Sequence, residues 1–225
     1  MRRYVLVIFI FMLGLSWKAY GPNGLGQGFH SSGEDCGFVQ NDYGQRISWK
    51  GQLPIILKIH ESVPQEMVPA IYEAVDVWNQ TLQKRIFEIT EHQLKGPVLT
   101  KKDTHNVVYW SYQWEAKNSD EQARTNVYWV GDEIRESDIM LNAQDHSFYF
   151  GQFTTAKDID LVSVMVHEFG HVLGLKHNDA GRSIMATYLN PLQERREIPK
   201  NDVESVSCEY DRHSSWFQRL ARADD

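Results

Sequence analysis

Apolar positions along this chain fall into short runs whose spacing indicates their geometry. Leu53-Pro54-Ile55-Ile56-Leu57-Lys58-Ile59-His60 is strand-like. Pro64 then marks a helix start, and Met67, Val68, Ile71, Val75, Trp78 and Leu82 share one stripe at helical spacing. That stripe reads as the core face of a helix lying on a sheet. Lys84 to Thr90, Asn106 to Trp110, Thr125 to Val130, Ser137 to Asn142 and Ser147 to Phe150 are further strand candidates, with Glu115 to Arg124 a polar surface loop among them. Asp160 suits the N-cap of a second helix, Leu161 to Leu173. Gly174 would end it, because glycine enters the left-handed region without steric penalty. A last helix is expected from Asn201 or Asp202 to about Tyr210. Strand, helix, several strands, then two helices predicts an α+β domain.

The two ends of the chain read differently. Arg2 and Arg3 precede an uncharged run from Tyr4 to Trp17. A short basic region and a short apolar one form the pattern of a secretory signal peptide. The run falls short of the roughly 20 apolar residues a bilayer span requires. Ser16 and Ala19 are candidate cleavage positions. Gly21 to Gly37 is a Gly-rich polar stretch that reads as a loose leader, and Arg212 to Asp225 is a polar tail. Export permits a disulfide, and Cys36 and Cys208 are the only two cysteines, so pairing is the simplest reading.

Composition narrows the picture without identifying a substrate. The chain has 225 residues, 42% hydrophobic and 24% charged, which fits one folded domain. A formal net charge of −7 provides none of the broad basic footprint of a nucleic-acid binder.

The chemistry concentrates in His167-Glu168-Phe169-Gly170-His171-Val172-Leu173-Gly174-Leu175-Lys176-His177. Four residues separate His167 from His171, which on a helix puts both imidazoles on one face. A turn at Gly174 lets the chain swing back and present His177. Three imidazoles with the fourth position left to water make an open tetrahedral zinc site, the catalytic type. Glu168 need not bind metal and is placed to act as general base. The other histidines are scattered, and each reads as a surface or satisfied core residue.

These residues resemble a family. HExxHxxGxxH is the signature of metzincin metallopeptidases. Ser183-Ile184-Met185-Ala186, eight residues after His177, resembles the methionine turn of their matrixin (matrix metalloproteinase-like) branch. Ile134 to Ile139, Asp160 to His167 and Asp202 to Tyr210 resemble matrixin segments more loosely. The likeness spans about residues 50 to 211.

The resemblance implies a zincin-like α+β fold: a twisted, mixed five-stranded sheet with three helices, the active-site helix carrying HExxH. It implies a secreted zinc endopeptidase with one catalytic zinc, acting on proteins or peptides, with Met185 supporting the site from below. A non-catalytic, zinc-containing peptide-binding homologue is the alternative. Calcium is compatible with Asp138, Asp145, Asp158 and Asp160 but is not assigned to any of them. Cys36-Gly37 also resembles a latency motif in which cysteine binds the zinc, although Glu34-Asp35 replace its expected proline and arginine. Asn178, Thr187 and Tyr188 depart from the matrixin pattern, Thr187 standing where a proline of the pocket wall is usual. The expected organisation is a signal peptide over 1–19, a leader or short pro-segment over 20–45, a metallopeptidase catalytic domain over 46–211 and a tail over 212–225. The expected product is a monomer without a membrane span after signal cleavage, located in a periplasm, on a cell surface or outside the cell.

Overall fold

The computed structural model describes residues 35–153 and 155–221, with 212–221 described by their backbone. The expected signal peptide, most of the leader and the final residues of the tail lie outside the described residues. In chain order the elements are β1 (Ile55–His60), α1 (Val68–Thr81), β2 (Phe87–Leu94), β3 (Asn106–Ser111), β4 (Ala123–Val130), β5 (Glu133–Asn142), β6 (Phe148–Tyr149), β7 (Ile159–Asp160), α2 (Leu161–Leu173) and α3 (Lys200–Ala221). Five strands form one mixed sheet in the order β2-β1-β3-β5-β4. Only β4 runs antiparallel to its neighbour, and it lies at an edge. This is the α+β architecture with three helices and a five-stranded sheet that the sequence implied.

The helical stripe packs as its spacing requires. Ala70, Ile71, Ala74, Val75 and Trp78 of α1 are buried. Trp78 also donates its indole N–H to the Val166 carbonyl of α2 at 3.0 Å, which satisfies the one polar atom of a large apolar side chain. Phe87 of β2 stacks on Phe169 of α2 with ring centroids 4.8 Å apart. Each such buried side chain contributes roughly 1.5–3 kcal/mol relative to exposure. Together they set α2, which carries the histidines, at a fixed place against α1 and the sheet.

Several elements differ from expectation for identifiable reasons. α1 begins at Val68 and not near Pro64: the Met67 N–H closes a turn onto the Pro64 carbonyl, and Pro69 occupies the first helical turn, where a missing N–H costs nothing. The stretch read as a polar surface loop, Glu115 to Arg124, contains a 3-10 turn, Ala116–Asn118, and buries Asn118 and Glu121. The Trp114 indole N–H donates to the Asn118 carbonyl, and Arg124 pairs with Glu121 through Oε2, so most of the polar groups buried here have partners, Glu121 Oε1 being the exception. α3 continues past Tyr210 to Ala221.

From Asp35 onward the stretch read as a loose leader packs on the body. Phe38 is buried and forms a bridge with Leu175. The Val39 N–H donates to Gly174, and Lys176 N–H to Gly37, both at 2.9 Å. Cys36 and Cys208 are joined in a disulfide. Beside it the buried Glu209 accepts from Ser48 at 2.7 Å and pairs with Arg46 and Lys50. Burial pushes its carboxyl up, but these donors and cations outweigh burial and leave it below its ordinary value.

The acids considered for calcium are occupied separately. Asp145 bonds Asn142, Asp158 bonds Thr155, and Asp160 caps α2 through the Ser163 N–H while pairing with Arg196. Asp138 is 1% exposed and accepts from the Val107 N–H at 3.1 Å. Burial raises its pKa to about 7, with Glu136 and Asp103 adding repulsion.

Two outcomes are expected. Asp138 is protonated more readily folded than unfolded, so its contribution to stability is full below its ordinary value of 3.8 and is lost as pH rises through about 7. Asp138→Asn keeps an acceptor for Val107 and should therefore flatten the fall in melting temperature between about pH 4 and pH 7; an equal fall in both proteins would rule out Asp138 as its source. Replacing Cys36 and Cys208 by serine opens a closed loop of 172 residues. It should lower unfolding free energy by about 2–5 kcal/mol in denaturant titrations, and an unchanged midpoint would show that the ion pairs alone hold the clamp.

Candidate metal centre and substrate cleft

Asp160 starts α2 by accepting the Ser163 N–H. Gly174 ends it at φ +102°. The Leu175 N–H returns to the Gly170 carbonyl and the Gly174 N–H to His171, the paired bonds of a Schellman motif. The remaining free carbonyls at this helix end are taken by side chains: Val172 by the Trp49 indole N–H at 2.8 Å, Leu173 by the Tyr210 hydroxyl at 2.8 Å. The turn at Gly174 therefore follows a fully satisfied helix end and sends the chain back toward the histidines.

His167, His171 and His177 meet there. Their Nε2 atoms lie 3.1, 3.1 and 3.3 Å apart pairwise. His167 Nδ1–H donates to the Ile184 carbonyl at 2.7 Å, and His171 Nδ1–H to Leu175 at 2.8 Å. Those bonds fix the tautomers, leaving each Nε2 with a lone pair aimed inward. Burial disfavours protonation of all three, pushing His167 down to about 3 and His171 and His177 below their ordinary values. Among the described residues this is the group of His, Cys, Asp and Glu donors close enough to share an ion. Three neutral nitrogens at this spacing suit zinc, whose tetrahedral nitrogen ligands at about 2.0–2.1 Å stand roughly 3.3 Å from one another.

Glu168 is buried beside this trio. Burial raises its carboxyl to about 7; a bond from the Thr125 hydroxyl, 2.5 Å from Oε2, opposes the shift, and the charge of Glu121 adds to it. Met185 lies directly under the helix: a Cβ on Gly170 would stand 2.3 Å from its sulfur. Cys36 is far from any ligand role here, since its sulfur is bonded to Cys208.

A cleft enclosing about 660 Å³ of open space runs past the histidines. Its walls come from the start of β4 and the residues just before it, one face of α2 and the chain after Met185. That last segment has no regular structure between Gly174 and Lys200, and side chains hold it. Asp202 accepts from the Ser183 hydroxyl and the Ile184 N–H. Asp179 accepts from both the N–H and the hydroxyl of Thr187. A proline at 187 could offer neither donor, which explains that departure from the matrixin wall. Asn178 donates its N–H to the Met185 carbonyl, and the Tyr188 side chain is 48% exposed. Thr125, Asp202 and Arg195 belong to this site and were not legible as such: their partners lie 7 to 43 residues away, with no regular spacing to mark them.

Comparisons with known proteins bear on the family. The Matrixin family model matches residues 49–211. Two curated proteins of Arabidopsis thaliana, Metalloendoproteinase 5-MMP and Metalloendoproteinase 2-MMP, are each 38% identical over 52 residues. The matched stretch covers 23% of this chain and 14% of each relative's length.

Gly174→Ala should disturb the metal centre through the backbone. The new Cβ would meet the Ile47 carbonyl oxygen at 2.3 Å and would sit at a φ that L side chains rarely adopt. We expect a loss of about 2–4 kcal/mol in stability and weaker zinc retention in dialysis against a chelator. Wild-type zinc affinity in the variant would show that the turn does not place His177.

Proposed function

The chain belongs to the matrixin family, and on that premise we propose that it is a zinc-dependent endopeptidase in which His167, His171 and His177 hold the metal and Glu168 moves the proton. The observation that carries this reading is the convergence of three Nε2 atoms, two of the rings oriented by carbonyls at their Nδ1, beside a buried carboxyl in a cleft. Zinc, when bound, would act as a Lewis acid toward the substrate carbonyl and make nearby water more acidic.

The protein's own groups supply the rest. β4 is an edge strand whose residues 123–125 line the cleft. Its outer edge is placed to pair with an extended peptide, which would hold the scissile bond across the histidines. Thr125 anchors one oxygen of Glu168. The carboxylate takes a proton from water as the water oxygen bonds to the carbonyl carbon, and returns it to the amine nitrogen as the C–N bond breaks. Burial holds the carboxyl near 7, and a nearby cation would lower it toward the ionised form that accepts the first proton.

We also propose that the protein works outside the cytoplasm. The basic-then-apolar N-terminus and the disulfide support this location. No helix among the described residues is long and apolar enough to cross a membrane.

Casein digestion by zinc-loaded protein, with and without 1,10-phenanthroline, tests the activity. Glu168→Gln should lower turnover by about 100-fold or more while plasma-mass-spectrometric zinc content stays at the wild-type level. Zinc-loaded wild type that binds casein but leaves it intact would favour the peptide-binding alternative.

A further inference from the structure

Arg195 lines the cleft together with the apolar side chains of Val164, Ile184 and Leu189. Its guanidinium is half-buried. Nη1 donates to the Ala186 carbonyl at 3.1 Å and Nη2 to the Tyr188 carbonyl at 2.9 Å. Both acceptors are neutral, and they use two of the five N–H donors. The acids whose charges act on Arg195 are Asp179 and Asp202. Neither forms an ion pair with it: Asp179 is committed to Thr187, and Asp202 to Ser183 and Ile184. The cleft's other arginine, Arg124, is neutralised by Glu121 and lies over the Trp114 ring.

A guanidinium stays protonated under such burial. A half-buried cation facing neutral partners is disfavoured until a carboxylate joins it, and a carboxylate bonded to arginine is among the strongest protein hydrogen-bond pairs. The apolar walls beside it suit an aliphatic stem. We propose that the cleft selects a substrate side chain with a short aliphatic stem and a terminal carboxylate, glutamate in particular, next to the scissile bond, with Arg195 as the specificity-determining residue. This rests on the endopeptidase reading above.

The test uses zinc-loaded full-length protein and peptides carrying Glu, Gln or Leu at either residue flanking the cut bond. At one of the two positions kcat/KM should favour Glu over Leu by about tenfold or more. Arg195→Gln, which keeps donors for the two carbonyls but no charge, should abolish that ratio, while Arg195→Lys should retain part of it. An unchanged Glu-to-Leu ratio in Arg195→Gln, even with all rates lowered, would overturn the proposal and leave Arg195 a structural staple. Should Arg195→Gln fail to fold, a wild type that prefers Leu at both positions overturns it equally. Cleavage of no peptide by the wild type would instead remove the endopeptidase reading itself, and this inference with it.

Discussion

Three imidazole Nε2 atoms face one another within 3.1–3.3 Å, two of them with a lone pair directed inward by the bonds at their Nδ1, an arrangement that a shared cation relieves. Burial closes the easy escape, since protonating a ring would place charge in a poorly solvated site. The fold must therefore hold the rings in place before metal arrives. It does so from three directions. α2 sets His167 and His171 one turn apart, the Gly174 turn returns His177, and carbonyls of Ile184 and Leu175 lock two of the rings by their outer nitrogens. Much of the remaining structure holds these three supports.

The supports are distributed over distant parts of the chain. α1 and β2 grip α2 through Trp78 and Phe87, while Trp49 and Tyr210 cap the carbonyls at its end. The segment from Asp35 hydrogen-bonds to Gly174 and Lys176, on either side of Leu175, whose carbonyl orients His171. The disulfide to α3 then holds that segment. The Cys36–Cys208 bridge thus acts, through ordinary backbone bonds, on the turn that brings His177 into the site. Removing the disulfide would be felt at the metal centre as well as in global stability.

What could be read in the sequence follows the range of the interactions. The proposed ligands, the proposed base and the terminating glycine sit within eleven residues, so helical geometry and one turn relate them, and the N-cap Asp160 and the end at Leu173 were equally local. Thr125 lies 43 residues from Glu168, and nothing in its strand marks it as more than an ordinary strand threonine. Glu115 to Arg124 looked exposed because it is polar. It is partly buried because Arg124, Glu121 and Asn118 satisfy partners inside, and residue type does not reveal pairing. Thr187 registered as a departure from a family pattern, and only Asp179 beside it shows why a residue with an N–H is used there.

The same division separates chemistry from selectivity. The proposed ligands His167 and His171 and the proposed base Glu168 ride on α2, whose position is over-determined by core packing and by capped ends. The opposite wall, from Ala186 to Leu189, has no ladder of its own. Asp179, Arg195 and Gln122 hold it by side-chain bonds to its backbone or, in the case of Asp179, also to the Thr187 hydroxyl. A wall built this way can change its lining by substituting a few side chains without moving a histidine. Arg195 does two things at once in such a wall: its alkyl stem and two donors brace the loop, and its charge remains without an acidic partner in the cleft. A residue needed only as a brace would serve as well with a neutral donor, and the unneutralised charge is the part of Arg195 that bracing does not explain.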